Sequence, residues 1–182
     1  RLVFCTQTQL MITDGTSAGT TSLQAISTYS QGYGYCELNN KVYFILPNFN
    51  GDHELWRTDG TSAGTEMVTN ISASGLHMYD PNSMAAFSGK LYCVASATAQ
   101  GPDLFVTSGN IGDTLQRIVL ATGGNSYPGM LTLYNNAMYF TASTMTGANI
   151  FKISEANAEP VALLPDSIYS WLTNLSFANN NL

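Results

Sequence analysis

The side chains in this sequence able to do chemistry are few, and their spacing limits what they can do. Asp52-His53-Glu54 is the one local cluster of titratable groups. A carboxylate beside an imidazole can move protons at a substrate, so Asp52 and His53 as an acid and base would suit a lyase or hydrolase. No G-x-S-x-G, H-E-x-x-H or P-loop spacing accompanies them, and Glu54 belongs to a repeated motif. A solvated loop is the preferred reading of the pair, and an enzyme the remote one. Asp14 and Asp59 each open the string Asp-Gly-Thr-Ser-Ala-Gly-Thr. They are weak candidates for calcium ligation, because an Asp that bonds its own turn is the default for such a string. Cys5, Cys36 and Cys93 lie in apolar runs without C-x-x-C spacing, far along the chain from His53 and His77. They read as small buried hydrophobes with at most one disulfide rather than as a metal site. No cofactor is expected. Asn70-Ile71-Ser72 and Asn174-Leu175-Ser176 fit the N-glycosylation pattern.

The elements that must position these residues are repeated. Asp14 to Thr20 recurs word for word as Asp59 to Thr65. The string suits a hairpin turn in which Asp59 bonds its own backbone and Gly60 and Gly64 take positive φ. Aligned on it, runs beginning at Leu10, Leu55, Leu104 and Ile150 lie 45, 49 and 46 residues apart. A second feature keeps the same period, a short polar turn followed by an aromatic strand: Asn39-Asn40 before Val42-Tyr43-Phe44, Ser88-Gly89 before Leu91-Tyr92-Cys93, Asn135-Asn136 before Met138-Tyr139-Phe140. Short alternating runs bounded by such turns are strands, and no stretch carries a helical period. Each repeat then holds four strands, here A to D, as in Ser83 to Phe87, Lys90 to Ser96, Leu104 to Thr107 and Thr114 to Leu120. Four antiparallel strands per repeat of this length make a propeller blade, which predicts an all-β, four-bladed β-propeller occupying residues 1–182 as one domain. Leu175 to Leu182 reads as a strand A and Leu2 to Phe4 as a strand B. The C-terminal strand is therefore expected to pair with the N-terminal one, so that residues 1–9 complete the last blade and close the ring. The alternative is an arc of a larger array.

Blade geometry sorts the loops. The A–B and C–D turns share one edge, and the B–C and D–A connections gather on the other. The second edge brings Tyr29 and Tyr33, then His77, Tyr79 and Asp80, then Tyr127, then Tyr169 and Trp171, so each repeat contributes a tyrosine. Its B–C loops add Asn48, Asn50, Asp52, His53 and Glu54 from one blade, and Gln100 and Asp103 from the next. Aromatic faces among amides and carboxylates suit stacking and hydrogen bonding of a sugar or a protein segment. The competing reading packs one tyrosine per repeat between the blades.

Composition narrows the partners. Charged residues are 10% of the chain and the net charge is -6 with six Lys and Arg. That leaves no basic patch for phosphates, which argues against nucleic acid. No apolar run approaches a membrane span. The chain begins at Arg1 and runs directly into Leu2-Val3-Phe4, as expected of a processed product or a piece of a longer protein. A neutral-polar, β-rich composition fits an extracellular or cell-surface protein.

From Glu54 to Thr65, Glu-Leu-Trp-Arg-Thr-Asp-Gly-Thr-Ser-Ala-Gly-Thr, the sequence resembles the ELWxxDGTxxGT repeat family of secreted and surface β-propeller-like repeat proteins. The first repeat matches from Leu10, with Gln9 in place of the Glu, while the third and fourth lose the DGT core. The resemblance implies an extracellular, non-catalytic repeat protein and transfers no catalytic residue, since the motif is a turn. The expected function is a binding or assembly module, adhesive or structural, whose partners are other protein subunits or surface glycans and which can self-assemble. The alternative is a glycan-binding lectin with sites near Trp171 and the tyrosine ring.

Overall fold

The computed structural model describes residues 1–26, 32–48, 50–51, 53–80, 83–97, 101–120, 126–144, 147–155, 158–164 and 175. Four antiparallel sheets follow one another along the chain. The first contains β1 (Leu2–Cys5), β2 (Gln9–Thr13) and β3 (Thr21–Ala25), and the second β4 (Tyr33–Leu38), β5 (Lys41–Pro47), β6 (His53–Thr58) and β7 (Glu66–Asn70). The third holds β8 (Leu76–Met78), β9 (Met84–Phe87), β10 (Lys90–Ala97), β11 (Pro102–Thr107) and β12 (Gln116–Ile118). The fourth holds β13 (Gly129–Tyr134), β14 (Ala137–Thr144), β15 (Gly147–Ile153) and β16 (Val161–Ala162). A single 3₁₀ turn, Ser72–Ser74, is the only helical element among the described residues.

Two-residue turns set the register of the first hairpin in three sheets. Asn39 and Asn40, Ser88 and Gly89, and Asn135 and Asn136 all take positive φ, from 46° to 77°. Positive φ at both central residues gives the backbone twist that matches paired strands, and Asn and Gly adopt it at low cost. The inner strands of successive sheets meet, β4 against β9 and β9 against β13, as blades do around a common axis.

Apolar cores fill the spaces between consecutive sheets. Phe44 and Leu46 of β5 pack on Leu10, Ile12 and Leu23 of the first sheet. The alternate residues Tyr43 and Ile45 pack on Leu91, Cys93 and Ala95 of the third. Tyr92 and Leu104 then meet Met138, Phe140 and Phe151 of the fourth. A B strand buried on both faces must be apolar throughout, which explains Val42-Tyr43-Phe44-Ile45-Leu46.

Four expectations change. The inner strand of the third sheet is split: β9 pairs with Lys90 to Cys93 of β10, and β8 with Ala95 to Ala97, the eight-residue β10 being long enough for both. His77 therefore lies on β8 rather than in a loop, opposite Ser96. Likewise His53 and Glu54 open β6, and Asp103 lies within β11 opposite Ala95, because these C strands extend to meet their long B strands. Gly64 serves space rather than dihedral freedom. Gly15 and Gly60 are the positive-φ residues of the two DGT turns, whereas a Cβ on Gly64 or Gly19 would fall 2.1 or 2.0 Å from the Asp59 or Asp14 carboxylate. The first sheet shows three strands, and the C-terminal strand expected to complete it lies outside the described residues, apart from Leu175.

Candidate functional site

The structure brings together two of the expected tyrosines. Tyr79 follows β8 and Tyr127 precedes β13, so they come from the connections entering adjacent inner strands. Their rings meet edge to face, centroids 6.3 Å apart and planes at 81°. They stay exposed, Tyr79 at 58% and Tyr127 at 44%. Aromatic pairs prefer this geometry, and it leaves a ring face of each free.

The backbone beneath Tyr127 is held from three sides. The Ser126 hydroxyl and N–H both donate to Asp103 Oδ1, at 2.6 and 3.2 Å, and the Tyr127 N–H donates to the Pro102 carbonyl at 3.0 Å. The Ser126 carbonyl accepts from Ser143 N–H of the fourth sheet at 2.6 Å. Asp103 is 3% exposed, and its other oxygen accepts from Arg117 at 2.6 and 2.7 Å. Its role is thus to anchor the Tyr127 connection, not to face a ligand. Tyr127 itself sits at φ +42°, a conformation disfavoured for a bulky residue, which persists because these bonds over-determine it. The Tyr79 N–H is fixed in turn by the Val94 carbonyl at 3.1 Å.

The other expected residues divide. Asp80 accepts from the Ser83 hydroxyl at 2.8 Å. Tyr33 packs against the core between the second and third sheets, as the competing reading holds for repeat tyrosines. Glu54 is spent on structure, accepting from Trp56 Nε1 at 3.0 Å and Asn48 Nδ2 at 3.2 Å, while Asn48 Oδ1 accepts from the Asn50 N–H at 2.9 Å. The Glu and Trp of the ELW motif are therefore bonded to each other. Asn70 Oδ1 accepts from the Ala73 N–H of the 3₁₀ turn at 2.9 Å. Asp52, Tyr29, Gln100, Tyr169, Trp171 and Asn174 lie outside the described residues.

The two DGT turns are the same network twice. Asp14 Oδ1 accepts from the Thr16 N–H and hydroxyl at 2.9 and 2.8 Å, and Asp59 Oδ1 from those of Thr61 at 2.9 and 2.7 Å. These bonds hold both carboxyls below the usual carboxylate pKa, the Thr16 N–H acting most on Asp14 and the Thr61 hydroxyl most on Asp59. In the third sheet Ser108 replaces the Asp, and Asp113 replaces the crowded Gly. Its carboxylate reaches back to the Asn110 N–H at 3.1 Å and to the Ser108 hydroxyl. The turn keeps its carboxylate and takes it from the other side. No group of three or more His, Cys, Asp or Glu capable of holding a metal occurs among the described residues. The three cysteines are unbridged, and burial pushes the Cys36 and Cys93 thiols up to about 12.

No family model and no curated protein matches the chain. Among solved structures it is similar to a prolyl endopeptidase studied for inter-domain dynamics in catalysis and specificity, with TM-score 0.60 and 12% identity over 86% of this chain and 23% of that one. It is similar also to an α-L-arabinofuranosidase from Clostridium thermocellum, with TM-score 0.42 and 11% identity over 88% of this chain and 70% of that one. A GH43_1 enzyme from Xanthomonas citri complexed with xylotriose gives TM-score 0.41 and 13% identity over 85% and 63%. The likeness is one of fold, all-β and β-propeller-like. The chain spans under a quarter of the prolyl endopeptidase.

Proposed function

We propose that this chain is a non-catalytic, extracellular β-propeller acting as a binding or assembly module, with the edge carrying Tyr79 and Tyr127 as its contact surface for glycan or protein. The observation that carries the proposal is the exposed tyrosine pair on a backbone fixed by Asp103 and Ser126. Rigid aromatic anchors contribute contact area at low entropic cost, and strain concentrates where a side chain must be displayed. The test replaces Tyr79 and Tyr127 by Ala, singly and together, and follows glycan-array binding and concentration-dependent self-assembly. Loss of glycan binding alone supports the lectin alternative, and loss of assembly alone supports the scaffold. If both survive in the double variant, this edge is not the contact surface.

Ring closure belongs to the same proposal. Gly60 sits against Ile12 of the preceding sheet, and Gly109 against Tyr43 of the preceding sheet. Closure would set the Gly15 turn against Tyr139 and Lys152 in the same manner, with the C-terminal strand completing the first sheet. Small-angle scattering of the chain should then give a compact monomer, and an open arc or an obligate dimer would refute closure.

A further inference from the structure

The junctions between sheets are not equivalent. At the junction of the second and third, the Tyr43 hydroxyl donates to the Gly109 carbonyl at 3.1 Å, and Arg57 donates to the same oxygen at 3.2 Å. Gly109 must lack a side chain there, since a Cβ would lie 2.8 Å from the Tyr43 ring. The aligned tyrosine of the next junction is Tyr92, and the residue aligned with Gly109 is Glu155. A turn carrying Glu155 cannot seat on Tyr92 in that way. Between the third sheet and the turn residues 158–160 of the fourth there is instead a cleft of about 300 Å³.

Tyr92 lines this cleft with its ring buried, and its hydroxyl, which makes no hydrogen bond among the described residues, keeps contact with solvent. Burial raises its pKa, so it stays a neutral donor. Lys90 lines the cleft as well and makes no ion pair among the described residues. Arg117 borders it with its guanidinium held by Asp103, so two of the six cations in the chain converge here. Val106 and Ile118 supply an apolar wall, and exposed Glu159 stands on the turn side.

We propose that this cleft binds a small carboxylate-bearing ligand of monosaccharide size, a sugar acid, whose carboxylate meets Lys90 and the Tyr92 hydroxyl. A ligand carboxylate can replace water on the Tyr92 hydroxyl as a charged, stronger acceptor. One free ammonium and one phenol match a monoanion, whereas a phosphate dianion would face Glu159 with its second charge unanswered. Hydroxyls of the ring can donate to Glu159, and its C–H face can lie on Val106 and Ile118. The volume is at the small end of ligand pockets, which limits the occupant to one ring.

Chemical-shift titration of the whole chain tests this with D-galacturonate, neutral D-galactose and inorganic phosphate as probes. Galacturonate should bind with a Kd on the order of 1 mM, at least about tenfold tighter than either competitor. Lys90→Gln should remove that preference, and Tyr92→Phe, which keeps the ring in the core, should weaken galacturonate about three- to tenfold without changing the melting temperature. Equal binding of galactose, preference for phosphate, no binding, or affinity unchanged in Lys90→Gln would each overturn the proposal. Tyr79→Ala and Tyr127→Ala should leave this binding intact. Loss of it there would move the site to the other edge and overturn the assignment to the cleft.

Discussion

Gly109→Ala tests whether the blades are held in register by turns seated on the preceding sheet. Two costs are expected. Gly109 has φ +74°, where an L side chain costs about 1–2 kcal/mol. The new Cβ would also lie 2.8 Å from Cε1 of Tyr43, whose ring is 3% exposed and packed in the core between the second and third sheets. A ring so enclosed cannot swing away, so overpacking adds about 1–3 kcal/mol. Gly112→Ala in the same turn is the control, because Gly112 has φ +82° and open space where its Cβ would go. It carries only the dihedral cost. Urea unfolding of both variants should therefore separate them by about 1–3 kcal/mol, equivalent to several degrees in melting temperature for a domain of this size. In a Tyr43→Ala background the difference should shrink, since the clashing ring is gone. If Gly109→Ala costs no more than Gly112→Ala, the turn does not seat on Tyr43. The Tyr43 and Tyr92 junctions would then no longer differ in how their turns seat.

Asp103→Asn should destabilise the chain by about 2–4 kcal/mol in urea, because a buried carboxylate serving Ser126 and Arg117 is lost. Partner binding at the Tyr79–Tyr127 edge should weaken with it, although Asp103 does not face that surface. For Asp14 and Asp59 the folded pKa is depressed, so their stabilisation is present above the unfolded carboxylate pKa and fades as pH falls through the lowered folded value. As pH falls into the acid range, urea midpoints should drop less in the Asp14→Ala/Asp59→Ala double variant than in the parent, and identical profiles would contradict the turn network. Cys36 and Cys93 have the opposite sign. With thiols pushed up to about 12, they should resist a thiol reagent at pH 8 in the folded chain and react after unfolding. Stability should fall as pH rises above the ordinary thiol pKa, because only the unfolded thiols ionise there. Native-state labelling of Cys93 as fast as in urea would contradict its burial.

Much of the architecture is local, and therefore legible in the chain. The Asn-Asn and Ser-Gly turns demand positive φ from residues that tolerate it, which places a hairpin wherever they occur. The apolar run of β5 follows from a strand that is covered on both faces. A period of about 45 residues repeats these signals, so the strand order of the second and fourth sheets is as the repeats predict. Asp59 bonding Thr61 is also local, two residues away.

Contacts between distant residues were decided by the tertiary structure alone. Asp103 reads as a loop carboxylate in the sequence, but in the fold it accepts two hydrogen bonds from Ser126, 23 positions on. Tyr33 and Tyr79 have the same residue type and nearly the same place in the repeat. One meets the core and the other meets Tyr127, because the inner strand of the third sheet is split and that of the second is not. Tyr43 and Tyr92 occupy the same position in successive repeats. What separates them is a glycine 66 residues after the first and its absence after the second, which seats one turn and leaves the other standing over a cleft. Periodicity states which residues are equivalent by position. Packing decides which of them remain equivalent in surroundings, because a single Cβ at a 2.8 Å approach is enough to break the equivalence.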